Sequence, residues 1–127
     1  MGRKVLIIDD SKLARMLVAG ILGRLQPEWS VVEAANAKDA LALLAGGGID
    51  ITLVDFNMPD MDGLALLTEL RRAHPAMPAA IISANAQEGI VSRTHALDAA
   101  FIEKPLKDET LRPFLAGADL KLRRARA

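Results

Sequence analysis

The chain has no cysteine and no tyrosine, and aromatic residues make up only 3% of it. Without thiols there can be no disulfide, no thiolate nucleophile and no zinc–thiolate site. The scarcity of aromatics removes the stacking platforms that nucleic-acid binding by stacking requires. Neither sign of charge is in excess: 16 basic residues balance 16 acidic ones, so no whole-molecule field attracts nucleic acid or an anionic membrane. No apolar run approaches the about 20 residues of a membrane span. Arg3-Lys4 lead straight into a short strand, which reads as neither signal peptide nor anchor. The expectation is a cytoplasmic protein with no membrane or nucleic-acid partner. What the chain does have is 127 residues that are 51% hydrophobic, enough for one domain with a sizeable core.

Short apolar runs alternate with helical periodicities. Strands are predicted at Lys4–Ile8 and at residues 29–33, 49–54, 79–82 and 99–103. Ser11 is placed to cap a first helix in which Leu13, Met16, Leu17, Ile21 and Leu25 recur at helical spacing, stopped by Pro27. Asn36 caps a second helix bearing Ala40, Leu41, Leu43 and Leu44, ended by Gly46-Gly47-Gly48. Asp62 opens a third, with Leu64, Leu67 and Leu70 on one face and Arg71-Arg72 in the last turn, where cations suit the dipole. A weak helix over 87–97 holds Gly89 and the β-branched Ile90, Val91 and Thr94. A final helix begins near Asp108. Inside it Pro113 costs about 3 kcal/mol and Gly117 about 1 kcal/mol against continuity. A kinked or two-piece helix is therefore expected, with Leu111, Phe114 and Leu115 on the sheet and residues 120–126 diverging. Five strand–helix units in alternation imply an α/β fold, a parallel sheet with helices on both faces. No repeat or linker marks a second domain, so 1–127 reads as one.

The strand ends carry the chemistry. They deliver Asp9 and Asp10, then Asp55, Ser83 and Lys104, while the second strand offers nothing polar of note. In open α/β sheets, ligands bind outside the carboxyl ends of the strands, at the switch point of strand order. Each residue alone has a dull explanation as a cap, a strand end or a solvated lysine; all of them on one sheet edge do not. Three carboxylates a few ångströms apart repel by about 1 kcal/mol per pair in water and about 4 kcal/mol at an effective dielectric of 20. Lys104 offsets one of those charges. An all-oxygen set without His or Cys suits Mg2+ or Mn2+. Lys104 and Ser83 are fitted to hold phosphate oxygens, and Asp55 is then a nucleophile that forms an acyl phosphate.

These residues, together with Val54-Asp55-Phe56-Asn57-Met58-Pro59, the trailing Asp62-Gly63, Ser83-Ala84 and Lys104-Pro105, resemble the receiver domain of two-component response regulators, above all the single-domain chemotaxis-type members. The resemblance implies a flavodoxin-like five-stranded sheet of order 2-1-3-4-5. It implies that Asp55 accepts phosphate from the phosphohistidine of a histidine kinase or histidine phosphotransfer protein. Asp10, Asp55 and the main-chain carbonyl of Asn57 are the implied metal ligands, with Asp9 assisting through water. Ser83 and Phe101 look like the switch pair, the Lys104-Pro105 peptide is expected to be cis, and a downstream protein is expected on the face of the fourth helix, fifth strand and fifth helix. Such a chain is no turnover enzyme but assists its own phosphorylation and slow dephosphorylation.

Departures from the pattern are local. Phe101 lacks the hydroxyl that many relatives carry, and Leu97-Asp98 stand where a glycine is usual, so Asp98 is expected in the left-handed conformation. The broken last helix favours a monomer. A haloacid-dehalogenase-like phosphohydrolase is the alternative of a different class, but it needs a second Asp two residues after the nucleophile, where this chain has Asn57. A degenerate docking receiver is opposed by the intact acid pair, acceptor and lysine. His74 and His95 read as surface residues, Met58 and Met61 as packing, and the basic residues of 121–126 as a solvated helix end.

Overall fold

The computed structural model describes residues 2–126. Its elements are β1 (Lys4–Ile8), α1 (Lys12–Leu25), β2 (Ser30–Ala34), α2 (Ala37–Ala45), β3 (Ile51–Asp55), α3 (Gly63–Ala73), β4 (Ala79–Ser83), α4 (Glu88–Ala96), β5 (Ala100–Glu103) and α5 (Asp108–Arg126). The strands form one parallel sheet in the order β2-β1-β3-β4-β5. Alternate residues of each strand face opposite sides. Val5, Ile7, Ile51, Leu53, Ala80 and Ile82 meet α1 and α5. Leu6, Ile8, Val54, Ala79 and Ile81 meet α2, α3 and α4. Every residue of β3 and β4 is buried, which is why those strands read as nearly unbroken apolar runs.

The expected caps are present: Ser11 accepts from the Ala14 amide, Asn36 from Asp39 and Asp62 from Ala65. β2 starts one residue later than predicted because the Trp29 amide closes a turn onto the Gln26 carbonyl. Asp98 adopts φ 55° and the Lys104-Pro105 bond is cis, as expected. Arg71 does more than offset a helix dipole. Its guanidinium donates to the carbonyls of Met77 (2.6 Å), Leu97 (2.6 Å), Asp98 (2.8 Å) and His74 (3.1 Å), so the end of α3 holds the turn between α4 and β5. His74 is half-buried at that helix end, while His95 is exposed.

The helical spacing leaves open which face of α1 is covered. The buried stripe of α1 is Val18, Ile21 and Leu22; Leu13, Met16 and Leu17 are 66%, 57% and 63% exposed. Two apolar stripes share this helix, and periodicity alone does not say which one is covered. One expectation fails: the last helix is not in two pieces. It runs from Asp108 through Arg126 with Pro113 inside it, and Ala118 and Leu122 still lie on the core. The proline forfeits one bond, worth about 3 kcal/mol with its crowding. Burying Leu111 and Leu115 fully returns about 1.5–3 kcal/mol each, enough to hold the helix on the sheet. Lys121 and Arg123 are exposed and reach Asp98 and Asp119; the side chain of Arg126 lies outside the described residues. Among the described residues no helix is long and apolar enough to cross a membrane.

Candidate functional site

Asp9 follows β1 and is fixed on every side. Its amide donates to the Ala34 carbonyl at 3.1 Å, its carbonyl accepts from Arg15 Nη1 at 2.6 Å, and its Oδ1 accepts from the Ser11 amide at 2.9 Å. Asp55 is the last residue of the central strand β3 and is 5% exposed; Asp10 is exposed. One carboxylate oxygen from each of Asp9, Asp10 and Asp55 lies within 4.8 Å of the others. Lys104 Nζ stands 3.0 Å from Asp55 Oδ1 and 3.9 Å from Asp9 Oδ2. The sheet order brings these residues together: β1 and β3 are neighbours, and the chain leaves them in opposite directions across the sheet.

The electrostatics are unbalanced. Burial pushes the Asp9 carboxyl above the ordinary carboxylate value, the Ser11 amide pulls it back, and the Asp55 charge pushes it up again. Asp55 Oδ1 has Lys104 as an ionic neighbour at 3.0 Å, yet it makes no directed hydrogen bond and is a buried oxygen without one. Three carboxylates facing one lysine, with no nitrogen or sulfur donor, have the donor chemistry of a hard divalent cation.

The loop after Asp55 is held at both ends. The Phe56 amide donates to Ile82 O at 2.9 Å, and the Gly63 amide donates to Phe56 O at 2.8 Å. A Cβ on Gly63 would lie 2.8 Å from both Asp55 O and Phe56 Cα, so only glycine allows this closure. Between these ties Asn57 is exposed, and Met58 and Met61 pack on the core as expected. Asp60 crosses to α2 and accepts from the Ala37 and Lys38 amides, each at 3.1 Å.

Ser83 lies at the end of β4, 1% exposed, and its Oγ accepts from the Asn85 amide at 3.0 Å. Phe101 is half-buried against the face that carries α3 and α4. A cleft of about 770 Å³ opens beside the acid cluster, walled by Asp9, Asp55, Lys104 and Pro105 and by Leu17 and Ile21 of α1. Sequence reasoning assembled Asp9, Asp10, Asp55 and Lys104. It missed Arg15, Glu33 and Asp60, whose partners are other elements: Arg15 Nε also donates to Glu33 Oε1 of β2 at 2.9 Å. Arg15 had a readable signal, a basic residue one turn inside the helix that follows the acid pair. Asp60 had none, because its partners lie 22 and 23 residues away.

A five-stranded doubly wound sheet with an acid cluster and a lysine at its carboxyl edge defines a class, and the comparisons agree with it. The family model of the response regulator receiver domain matches residues 5–116, and the chain belongs to that family of two-component signalling domains. Among particular relatives, it is 33% identical over 117 residues to the cyclic di-GMP phosphodiesterase response regulator RpfG of Xanthomonas campestris pv. campestris, covering 88% of this chain and 30% of that protein. It is 35% identical over 128 residues to the response regulator protein PilR of Pseudomonas aeruginosa, covering 98% of this chain and 28% of that one. The chain thus spans under a third of the length of these relatives. Among solved structures it is similar to chemotaxis protein CheY4 of Vibrio cholerae, with TM-score 0.83, 26% identity, and 93% and 99% of the two chains covered. It is equally similar to a chain in the CheX–CheY–BeF3–Mg2+ complex of Borrelia burgdorferi, with TM-score 0.83, 26% identity, and coverages of 91% and 87%.

Proposed function

We propose that this domain is a phosphorylation switch whose acceptor is Asp55, loaded from the phosphohistidine of a histidine kinase or histidine phosphotransfer protein. One observation carries the reading: a buried aspartate at the central strand end, one oxygen lacking a hydrogen bond, stands between two further carboxylates and a lysine at the wall of an open cleft. A carboxylate oxygen of Asp55 attacks phosphorus as the phosphorus–nitrogen bond breaks, and the imidazole leaves with the electron pair. Lys104, already 3.0 Å from Asp55, keeps its ammonium beside the transferred oxygens. Asp10, Asp55 and the Asn57 carbonyl would hold Mg2+ (or Mn2+), with Asp9 assisting through water. When bound, that cation supplies the positive charge that three carboxylates and a phosphoryl group need.

Met16 and Leu17, both exposed, line the same cleft, which suits a donor of protein size. Ser83 leaves Asn85 for the phosphoryl group, Phe101 turns further into the core, and α4 re-packs. The output is altered affinity for a downstream protein on the face of α4, β5 and α5. The domain assists its own phosphorylation and slow dephosphorylation without turning over a substrate. This reading takes 1–127 as one receiver unit acting in the cytoplasm. The expectation of a monomer rested on a broken α5, and a continuous helix removes that ground. The hydrolase alternative lacks its acid: the residue two beyond Asp55 is Asn57.

The test is incubation with acetyl phosphate and Mg2+, read by intact mass. The wild type is expected to gain one phosphoryl group and Asp55→Asn none. Equal labelling of that variant would remove Asp55 from the role.

A further inference from the structure

Arg15 lies outside the strand ends yet governs one of them. It is the fourth residue of α1, and helical side chains lean toward the helix N-terminus, which here points back at the end of β1. The side chain is 14% exposed and spans two strands: Nη1 donates to the Asp9 carbonyl at 2.6 Å, and Nε donates to Glu33 Oε1 at 2.9 Å. That carbonyl belongs to the peptide joining Asp9 to Asp10, so its direction fixes where the Asp10 carboxylate projects. Asp9 has the Ser11 amide to orient its own carboxylate. Among the described residues the Asp10 carboxylate has no hydrogen bond, so its aim depends on its backbone. Glu33 pairs in register with Ile7 and stands near the carboxyl end of β2, which tethers the guanidinium from the far side. Only a planar fork with two divergent donors makes both bonds at once.

We infer that Arg15, tethered by Glu33, is a positioning residue for the acid pair and sets its affinity for a divalent cation. The inference rests on the cation site of the proposed function and adds a prediction of unexpected sign. Arg15 is itself positive, so by Coulomb repulsion alone its removal tightens Mg2+ binding. Loss of positioning weakens it.

The experiment is an Mg2+ titration of the unphosphorylated full chain, followed by the amide NMR shifts of Asp10 and Ser11. It is run on the wild type, Asp10→Asn, Arg15→Ala, Arg15→Lys and Glu33→Ala, with thermal midpoints measured in metal-free buffer. Arg15→Ala is expected to weaken binding roughly 10-fold, the lower end for partners that orient metal ligands. Arg15→Lys keeps the charge and loses the fork, so it falls between; Glu33→Ala weakens binding less. A lowered thermal midpoint with Mg2+ affinity unchanged or tighter in Arg15→Ala overturns the inference. Should Arg15→Ala not fold, Arg15→Lys and Glu33→Ala decide, and unchanged affinity in both overturns it. A wild type that binds Mg2+, an impaired Asp10→Asn and unaffected Arg15 variants reject this inference alone. A wild type that binds no Mg2+ rejects the cation site with it.

Discussion

Asp60 shows what one carboxylate does when it meets a helix start from another part of the chain. The Ala37 amide lowers its pKa most, burial opposes, and the Lys38 amide lowers it further. A depressed carboxylate adds stability above its unfolded value, about 3.9, and loses it as pH falls through the lower folded value. Urea denaturation of wild type and Asp60→Asn should therefore differ at neutral pH and converge below about pH 4. A difference that persists at the lowest pH where the fold survives would exclude the carboxylate as its source. Gly63 is the complementary case, a residue required for what it lacks. Gly63→Ala puts a methyl against backbone atoms of Asp55 and Phe56, and overpacking of that kind costs about 1–3 kcal/mol. Thermal unfolding is the measurement, and an unchanged midpoint would mean the loop yields freely. Both residues lie in the stretch that the sequence marks out, but only Gly63 carries its reason there, as a glycine closing a turn.

Among the elements, α5 departs most from its sequence pattern. α5 tolerates Pro113 because the lost bond is single and the face of Leu111, Leu115 and Ala118 is fully committed to the sheet. Pro113→Ala should restore the bond and raise stability by about 1–3 kcal/mol. Gly117 faces open space, and a methyl added there would meet nothing within 4 Å, so Gly117→Ala should add up to about 1 kcal/mol. Urea midpoints check both, and a loss in either would show that the helix depends on its irregularity. α4 is weak as the sequence predicts. Gln87 gives it no side-chain cap, and Thr94 is its one buried residue. Arg71 pins the turn after it, so its free end is the one next to Ser83. Amide exchange should be faster along α4 than along α3, and beryllofluoride with Mg2+ should change protection there as well as in the loop after Asp55. Changes confined to that loop would contradict a switch that works through α4.

At the scale of the whole molecule, folding gathers like charges that the unfolded chain keeps apart, so a cation that relieves them stabilises the fold. At a concentration 100 times its dissociation constant, Mg2+ should add about 2.7 kcal/mol of unfolding free energy, and Asp10→Asn should abolish most of that gain. Equal gains in both proteins would place the cation elsewhere. The sequence by itself determined the elements, the caps at Ser11, Asn36 and Asp62, and the strand ends bearing Asp9, Asp10, Asp55, Ser83 and Lys104. These are written in spacings of two to four residues and in capping bonds that close within one turn. Tertiary structure alone decided which stripe of α1 is buried, whether Pro113 breaks α5, and that Arg15, Glu33 and Asp60 frame the site. The reason is physical. A helix with two apolar stripes buries the one its neighbours cover, and a hydrogen bond between segments 18 or 23 residues apart exists only once the sheet has set their distance.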